Sequence, residues 1–209
     1  MSRTFTKENP FRRVQRRLKR IFRVGMFVLL AAMLIFFLLS APPVQRGIFY
    51  PFRYRDTVEF YSDKYHVDKY LAIAVMKNES NFVSSAISHS GAVGLMQIMP
   101  ETADWIASQL DDNSLGDEHF TFNVKKLYDP ETNIRYGIWY LSTLEEEFEG
   151  NDVLALAAYN AGRGNVLHWM EKYGWKDDFN DVEAIPYRET RDYVRRVLNC
   201  RRKYRLFYN

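Results

Sequence analysis

Residues 69–100 read KYLAIAVMKNESNFVSSAISHSGAVGLMQIMP, and the reading of this stretch decides the fold. In residues 69–79 the apolar side chains Leu71, Ala72, Val75 and Met76 recur at helical spacing, and Asp68 just ahead of them is a helix-capping type. Residues 84–94 are small, polar and glycine-containing, which marks a loop. Pro100-Glu101-Thr102 then opens another helix. Glu79 stands at the end of the first helix, on its apolar side, after Met76, Val75 and Ala72. Desolvation there, together with the negative end of the helix dipole, disfavours the ionised carboxylate. A carboxyl that keeps its proton near neutral pH is suited to general acid catalysis. The competing reading is a glutamate that ends a helix and turns to water, and periodicity by itself favours that reading.

The same helical pattern continues outward on both sides, with no sustained period-two alternation, so the expected fold class is all-α. Helices are expected at residues 56–65, at 69–79, and from Pro100 through Trp105, Ile106 and Leu110. Residues 112–126 are polar and irregular. Asp129-Pro130-Glu131 combines a cap, a first-position proline and a first-turn acid, and the helix after it carries Ile134, Ile138, Leu141 and Leu144 on one face. Further helices are expected at 152–160, 166–173 and about 189–204.

Composition sets the class. The chain has 209 residues, 47% of them hydrophobic, enough for one compact domain plus an extra segment. Net charge is +3, but residues 1–23 hold nine basic groups against one acid, so the remainder is net negative. That distribution gives no reason to expect a nucleic-acid partner. Residues 24–44 carry no charge and, as a helix, would reach roughly 30 Å, about the hydrocarbon thickness of a bilayer. With the basic flank on one side only, the expectation is a cytoplasmic N-terminal segment (1–23), a transmembrane anchor (24–44), a short extended linker (45–52) and an extracytoplasmic domain (53–209). The alternative is a cleaved signal peptide. Pro42 after the small pair Ser40-Ala41, Leu39 upstream and the long basic region favour an uncleaved anchor. Cys200 is the only cysteine, so no intrachain disulfide forms, and it reads as a small buried residue near a helix end. His66, His89, His119 and His168 show no metal-ligand spacing and read as surface residues.

Glu79-Ser80-Asn81-Phe82, the turn from Gly91 through Gly94 to Gln97 and Pro100, Ala157-Ala158-Tyr159-Asn160-Ala161-Gly162, and Ile185-Pro186-Tyr187-Arg188-Glu189-Thr190-Arg191-Asp192-Tyr193-Val194 stand in order along the chain. Together they resemble the soluble lytic transglycosylase family over residues 53–205 or so. The resemblance implies a lysozyme-like domain and gives Glu79 the part of sole catalytic acid/base. It makes Gln97 and Met99 cleft-lining residues and Ser88 a substrate-contacting hydroxyl. Tyr159, followed by Asn160 in the same block, takes the part of a tyrosine reaching the catalytic centre, and Glu189 that of a second acid lower in the groove. Arg163 departs from the pattern, since many relatives have proline between the two glycines.

Each of these residues also has a plainer role. The glycines permit a tight turn, Met96 and Met99 fill a core, Tyr159 packs, and Thr190 and Arg191 open the last helix. Trp105, Trp139, Trp169 and Trp175 are sugar-stacking candidates, though helical tryptophan is more often core.

The implied partner is the glycan strand of peptidoglycan, and no metal or organic cofactor is implied. Glu79 would protonate the oxygen between N-acetylmuramic acid and N-acetylglucosamine, then accept the proton of the muramyl 6-hydroxyl as it closes on C1. Tyr159 and Gln97 would orient the acetamido oxygen and the reacting ring. The rival readings are a hydrolytic lysozyme with Glu101 or Glu189 as second carboxylate, and a membrane-tethered glycan-binding factor without activity.

Overall fold

Helix periodicity and capping chemistry account for most boundaries in the computed structural model, which describes residues 10–111 and 123–209. The chain divides between Pro51 and Phe52 into two units.

The first unit is built on α1, Pro10–Ser40. Its apolar side chains are exposed, and over Val14–Ser40 it is long and apolar enough to cross a membrane. It ends where the residue before a proline is pushed out of the helical region, with Ala41 extended at φ −64° and ψ 133°. The extended linker expected after it does not form. Pro42–Val44 is a short helix, α2, and Gln45–Phe49 a π-turn. Pro42 stands at the start of the new turn, where a missing N–H costs nothing. Gln45 Nε2 also donates back to the Leu39 carbonyl at 2.5 Å.

The second unit is all-helical among the described residues, with only isolated bridges at Ile87–Val93 and Val93–Ile98. Its helices are α3 (Arg55–Tyr65), α4 (Lys69–Ser80), α5 (Pro100–Gln109), α6 (Pro130–Glu147), α7 (Asp152–Ala161), α8 (Arg163–Tyr173) and α9 (Arg188–Tyr208). α4 is the central rod: Tyr70 through Met76 are all buried, and it packs against α3 and α9. α6 packs on α3 and α7, and α7 also meets α8 and α9. Asp68 caps α4 through Tyr70 N–H, and Asp129 caps α6 through Thr132 N–H, as their positions predict. α8 begins directly after Gly162, three residues earlier than expected, and α9 runs to Tyr208. Of the segment expected to be irregular, residues 112–122, with His119, lie outside the described residues, while Val124–Tyr128 form a 3-10 turn.

One guanidinium gathers three helices. Arg201 on α9 donates from Nε to Asp68 Oδ2 at 2.6 Å and from Nη1 to Asp152, at the start of α7. Arg163, the departure from the family pattern, pairs with Glu147 at 2.5 Å and ties the start of α8 to the end of α6. Cys200 is buried and free, with its thiol pushed up to about 11 by burial, so it stays protonated.

Candidate active site

α4 ends on two consecutive non-glycine residues with positive φ, Asn81 at 48° and Phe82 at 68°. This reverses the chain at once and leaves Glu79 on the last helical turn, facing the loop that follows. Ser80 fastens the two together: its Oγ donates to the Leu95 carbonyl at 2.7 Å and accepts Phe82 N–H at 3.1 Å. Phe82 is buried, which helps hold the unfavourable backbone.

The glycine turn is fixed from the opposite side by a residue that sequence reasoning passed over. Asn133, fully buried on α6, accepts Met96 N–H at 2.7 Å and donates to the carbonyls of Val93 at 2.9 Å and Leu127 at 2.8 Å. Gly94 has φ +85°, and a Cβ there would stand 2.1 Å from Asn133 Nδ2 and 2.5 Å from the Leu127 carbonyl oxygen. Glycine is required at that position by both conformation and space.

All seven residues singled out from the sequence converge. Glu79, Ser88, Gln97, Met99, Tyr159, Asn160 and Glu189 line one cavity of about 230 Å³, together with Ser90 and Ala92. A neighbouring cavity of about 260 Å³ shares Gln97, Met99, Tyr159 and Asn160 and adds Thr102, Tyr140 and Gly162. Glu101 lines neither. The tryptophans divide. Trp169 is buried, and Trp175 stacks on Phe179 at 3.9 Å. Trp105 is partly exposed, 5.3 Å from the Trp139 ring and 6.1 Å from Tyr140, which in turn lies 5.6 Å from Tyr159. An aromatic row thus leads out of the second cavity. His66, His89 and His168 are exposed, and no group of metal-binding side chains occurs among the described residues.

Burial raises the Glu79 carboxyl to about 7, opposed in part by the Tyr193 hydroxyl and the Arg196 charge. Among the described residues no carboxylate is a cause of that shift. The sequence anticipated the direction and the burial but not Tyr193, whose buried hydroxyl makes no hydrogen bond of ordinary geometry and lies against Glu79. Its signal was present, one helical turn after Glu189 on the same helix.

Two expected donors are already committed. Tyr159 Oη donates to the Met96 carbonyl at 2.8 Å, and Gln97 Nε2 donates to Gly94 O at 2.9 Å and Ala86 O at 3.2 Å. In this arrangement both side chains spend their hydrogens on backbone carbonyls. The Tyr159 hydroxyl is pushed well above its ordinary value by burial, then by Glu79 and Tyr140, so it remains protonated. Ser88 Oγ, by contrast, accepts Ala92 N–H at 2.9 Å and keeps its own hydrogen for a ligand.

The transglycosylase SLT domain family matches residues 56–182. The soluble lytic murein transglycosylase of Escherichia coli K12 is 36% identical over 159 residues, which cover 76% of this chain and 24% of that protein. Membrane-bound lytic murein transglycosylase C of Edwardsiella ictaluri is 33% identical over 174 residues, covering 73% of this chain and 46% of the other. Among solved structures, the 70 kDa soluble lytic transglycosylase of Escherichia coli superposes with a TM-score of 0.66 at 34% identity, over 75% of this chain and 25% of that one. An inactive glutamate-to-glutamine mutant of the lytic transglycosylase Slt from Pseudomonas aeruginosa gives 0.63 at 32% identity, covering 78% and 25%. The chain therefore spans about a quarter of the length of the soluble relatives it matches. Over its folded unit, with its own groove and core, it belongs to the transglycosylase SLT domain family.

Proposed function

We propose that this protein is a membrane-anchored peptidoglycan lytic transglycosylase that cleaves the β-1,4 bond between N-acetylmuramic acid and N-acetylglucosamine and leaves 1,6-anhydromuramyl ends. The observation that carries the reading is Glu79, a carboxyl held near neutral pH by burial, in a groove where no other acid sets its protonation. Such a group can serve as acid and then as base. Protonated Glu79 donates to the leaving oxygen while the muramyl acetamido group stabilises the cationic carbon. The resulting carboxylate is favoured by Tyr193 and Arg196, the two groups that lower its pKa. It then takes the proton of the muramyl 6-hydroxyl, whose oxygen bonds to C1, so no water is consumed. Ser88 supplies a hydrogen to the substrate. Tyr159 and Gln97 act through the backbone carbonyls they hold, shaping the wall rather than donating to the sugar. The solved relative that is inactive with glutamine in place of one glutamate supports this assignment.

The apolar part of α1 from Val24 onward serves as the anchor, with the basic segment 1–23 in the cytoplasm and the SLT domain on the extracytoplasmic side. That orientation places the groove where glycan strands are. The deciding experiment digests purified peptidoglycan and weighs the products. Anhydro ends are lighter than hydrolysed ends by one water, and they should predominate. Reducing ends instead would overturn the reading and point to Glu189, the other carboxylate lining the cavity, as the activator of water.

A further inference from the structure

α9 carries far more positive charge than the reaction calls for. From Tyr193 to Asn209 it has six basic side chains and no acid, whereas residues 53–187 hold eleven basic against twenty-three acidic groups. Positive charge is thus concentrated on one helix of an otherwise acidic domain. On that helix Arg195, Arg201, Arg202 and Arg205 line a cavity of about 510 Å³, larger than either cavity of the groove.

Part of this charge is spent internally. Arg195 pairs with Glu183 and Asp192, Arg201 with Asp68 and Asp152, and Arg205 with Asp68. Arg202 has the neutral Asn199 side chain as its partner, and among the described residues neither Arg202 nor Lys203 forms an ion pair. Both are exposed, as are Arg195 and Arg205.

The occupant follows from where the chain enters the domain. Phe52, the first residue of the folded unit, packs its ring 6.0 Å from Tyr204 and 5.4 Å from Tyr208. The basic end of α9 is therefore the end that is tethered. Residues 41–51 span at most roughly 40 Å between the apolar helix and Phe52. A basic patch on so short a tether meets a bilayer at high effective concentration. Leu206, 71% exposed beside Arg202 and Arg205, supplies an apolar side chain for the acyl boundary. A soluble anionic polymer would make no use of either feature.

We propose that the C-terminal half of α9 is a docking site for the phosphodiester headgroups of anionic phospholipids, seated on Arg202, Lys203 and Arg205. The proposal rests on the membrane-anchored reading above. Glu189, at the groove, precedes Arg205 by sixteen residues on the same helix, an axial distance of roughly 24 Å. Docking would hold the groove at that order of height above the lipid surface.

The test uses residues 52–209, whose buried apolar side chains all lie at or beyond Val58. Flotation is compared with vesicles of phosphatidylcholine alone and with vesicles containing about one-third phosphatidylglycerol. Binding to the anionic vesicles, weakening with salt, is expected. Arg202→Gln and Lys203→Gln should each weaken it roughly five-fold, while digestion of solubilised glycan and the melting temperature stay at the parent's values. Equal flotation with both vesicle types, no flotation, or unchanged flotation of the double variant overturns the proposal. So does binding of soluble poly(glycerol phosphate) with the same Arg202 dependence while vesicles are ignored, which would assign the site to a wall polymer. Alkaline extraction of the full chain tests the anchor separately, so failure of the anchor and failure of the docking site are distinguishable.

Discussion

Asn133 accepts the backbone N–H of Met96 at 2.7 Å, across 37 residues of sequence, while the carbonyl of the same Met96 receives the Tyr159 hydroxyl at 2.8 Å. A buried carboxamide on α6 and a groove tyrosine on α7 thus hold one residue from two sides. Asn133→Ala would strand Met96 N–H and the carbonyls of Val93 and Leu127 in the interior. We expect a loss of roughly 2–4 kcal/mol, read by urea unfolding. Activity at a temperature where the variant is still folded should also fall. A stability loss below about 1 kcal/mol would mean that Asn133 does not fix the turn.

Gly94 and Gly91 both have positive φ, but only Gly94 is crowded. Gly91→Ala should cost about 1 kcal/mol, because a Cβ there meets nothing within 4 Å and only the backbone conformation is penalised. Gly94→Ala should cost roughly 3 kcal/mol, since Asn133 and the Leu127 carbonyl must both move. Equal melting temperatures for the two variants would contradict the packing described.

Glu79→Gln should abolish release of anhydro ends, by about a thousand-fold or more, with the fold intact. Its pH signature has a definite sign. The folded-state pKa of about 7 lies above the ordinary 4.5, so the folded protein binds the extra proton between these values. Stability should therefore fall as pH rises from about 4.5 to about 7. Glu79→Gln should remove that dependence and be more stable than the parent above pH 7, by roughly 2 kcal/mol after allowing for solvent at the groove mouth. The alkaline limb of activity should likewise lie near pH 7. Denaturant titrations of both proteins at acid and alkaline pH check the sign.

Tyr193→Phe removes a buried hydroxyl whose interaction with Glu79 lowers that carboxyl's pKa. The alkaline limb of the activity profile should move to higher pH while kcat falls, because the developing carboxylate loses a stabilising dipole. Stability should change by less than about 1 kcal/mol, as that hydroxyl makes no regular hydrogen bond. A limb that stays in place or moves down would separate Tyr193 from the acid.

What could be read from the sequence was whatever depends on neighbours in the chain. Asp68, Asp129, Pro100 and Pro130 announce helix starts through contacts within one turn, and the structure places helices there. The apolar face gives a reason for the direction of the Glu79 shift, but periodicity alone favours a glutamate turned to water, and the resemblance decides between them. The rest depends on contacts far apart in sequence. Asn133 reads as one polar residue beside Ile134, and only the arrival of a loop some forty residues earlier shows what it satisfies. Tyr159 and Gln97 look like free donors until the carbonyls of Met96, Gly94 and Ala86 are in position. Pro42 and Pro43 suggest an extended link, yet proline is equally suited to open a helical turn, and here it does so.

The grip of Arg201 on Asp68 and Asp152 has a mechanical consequence. It pins α4 and α7 at their N-terminal ends, while Glu79 and Tyr159 stand at their C-terminal ends. The two helices are arms of a forceps joined at the base, with the cavity lined by Glu79 and Tyr159 between the tips. A guanidinium at the other end of both arms thus bears on the width of that cavity, and a change at Arg201 would be felt as a change in bite.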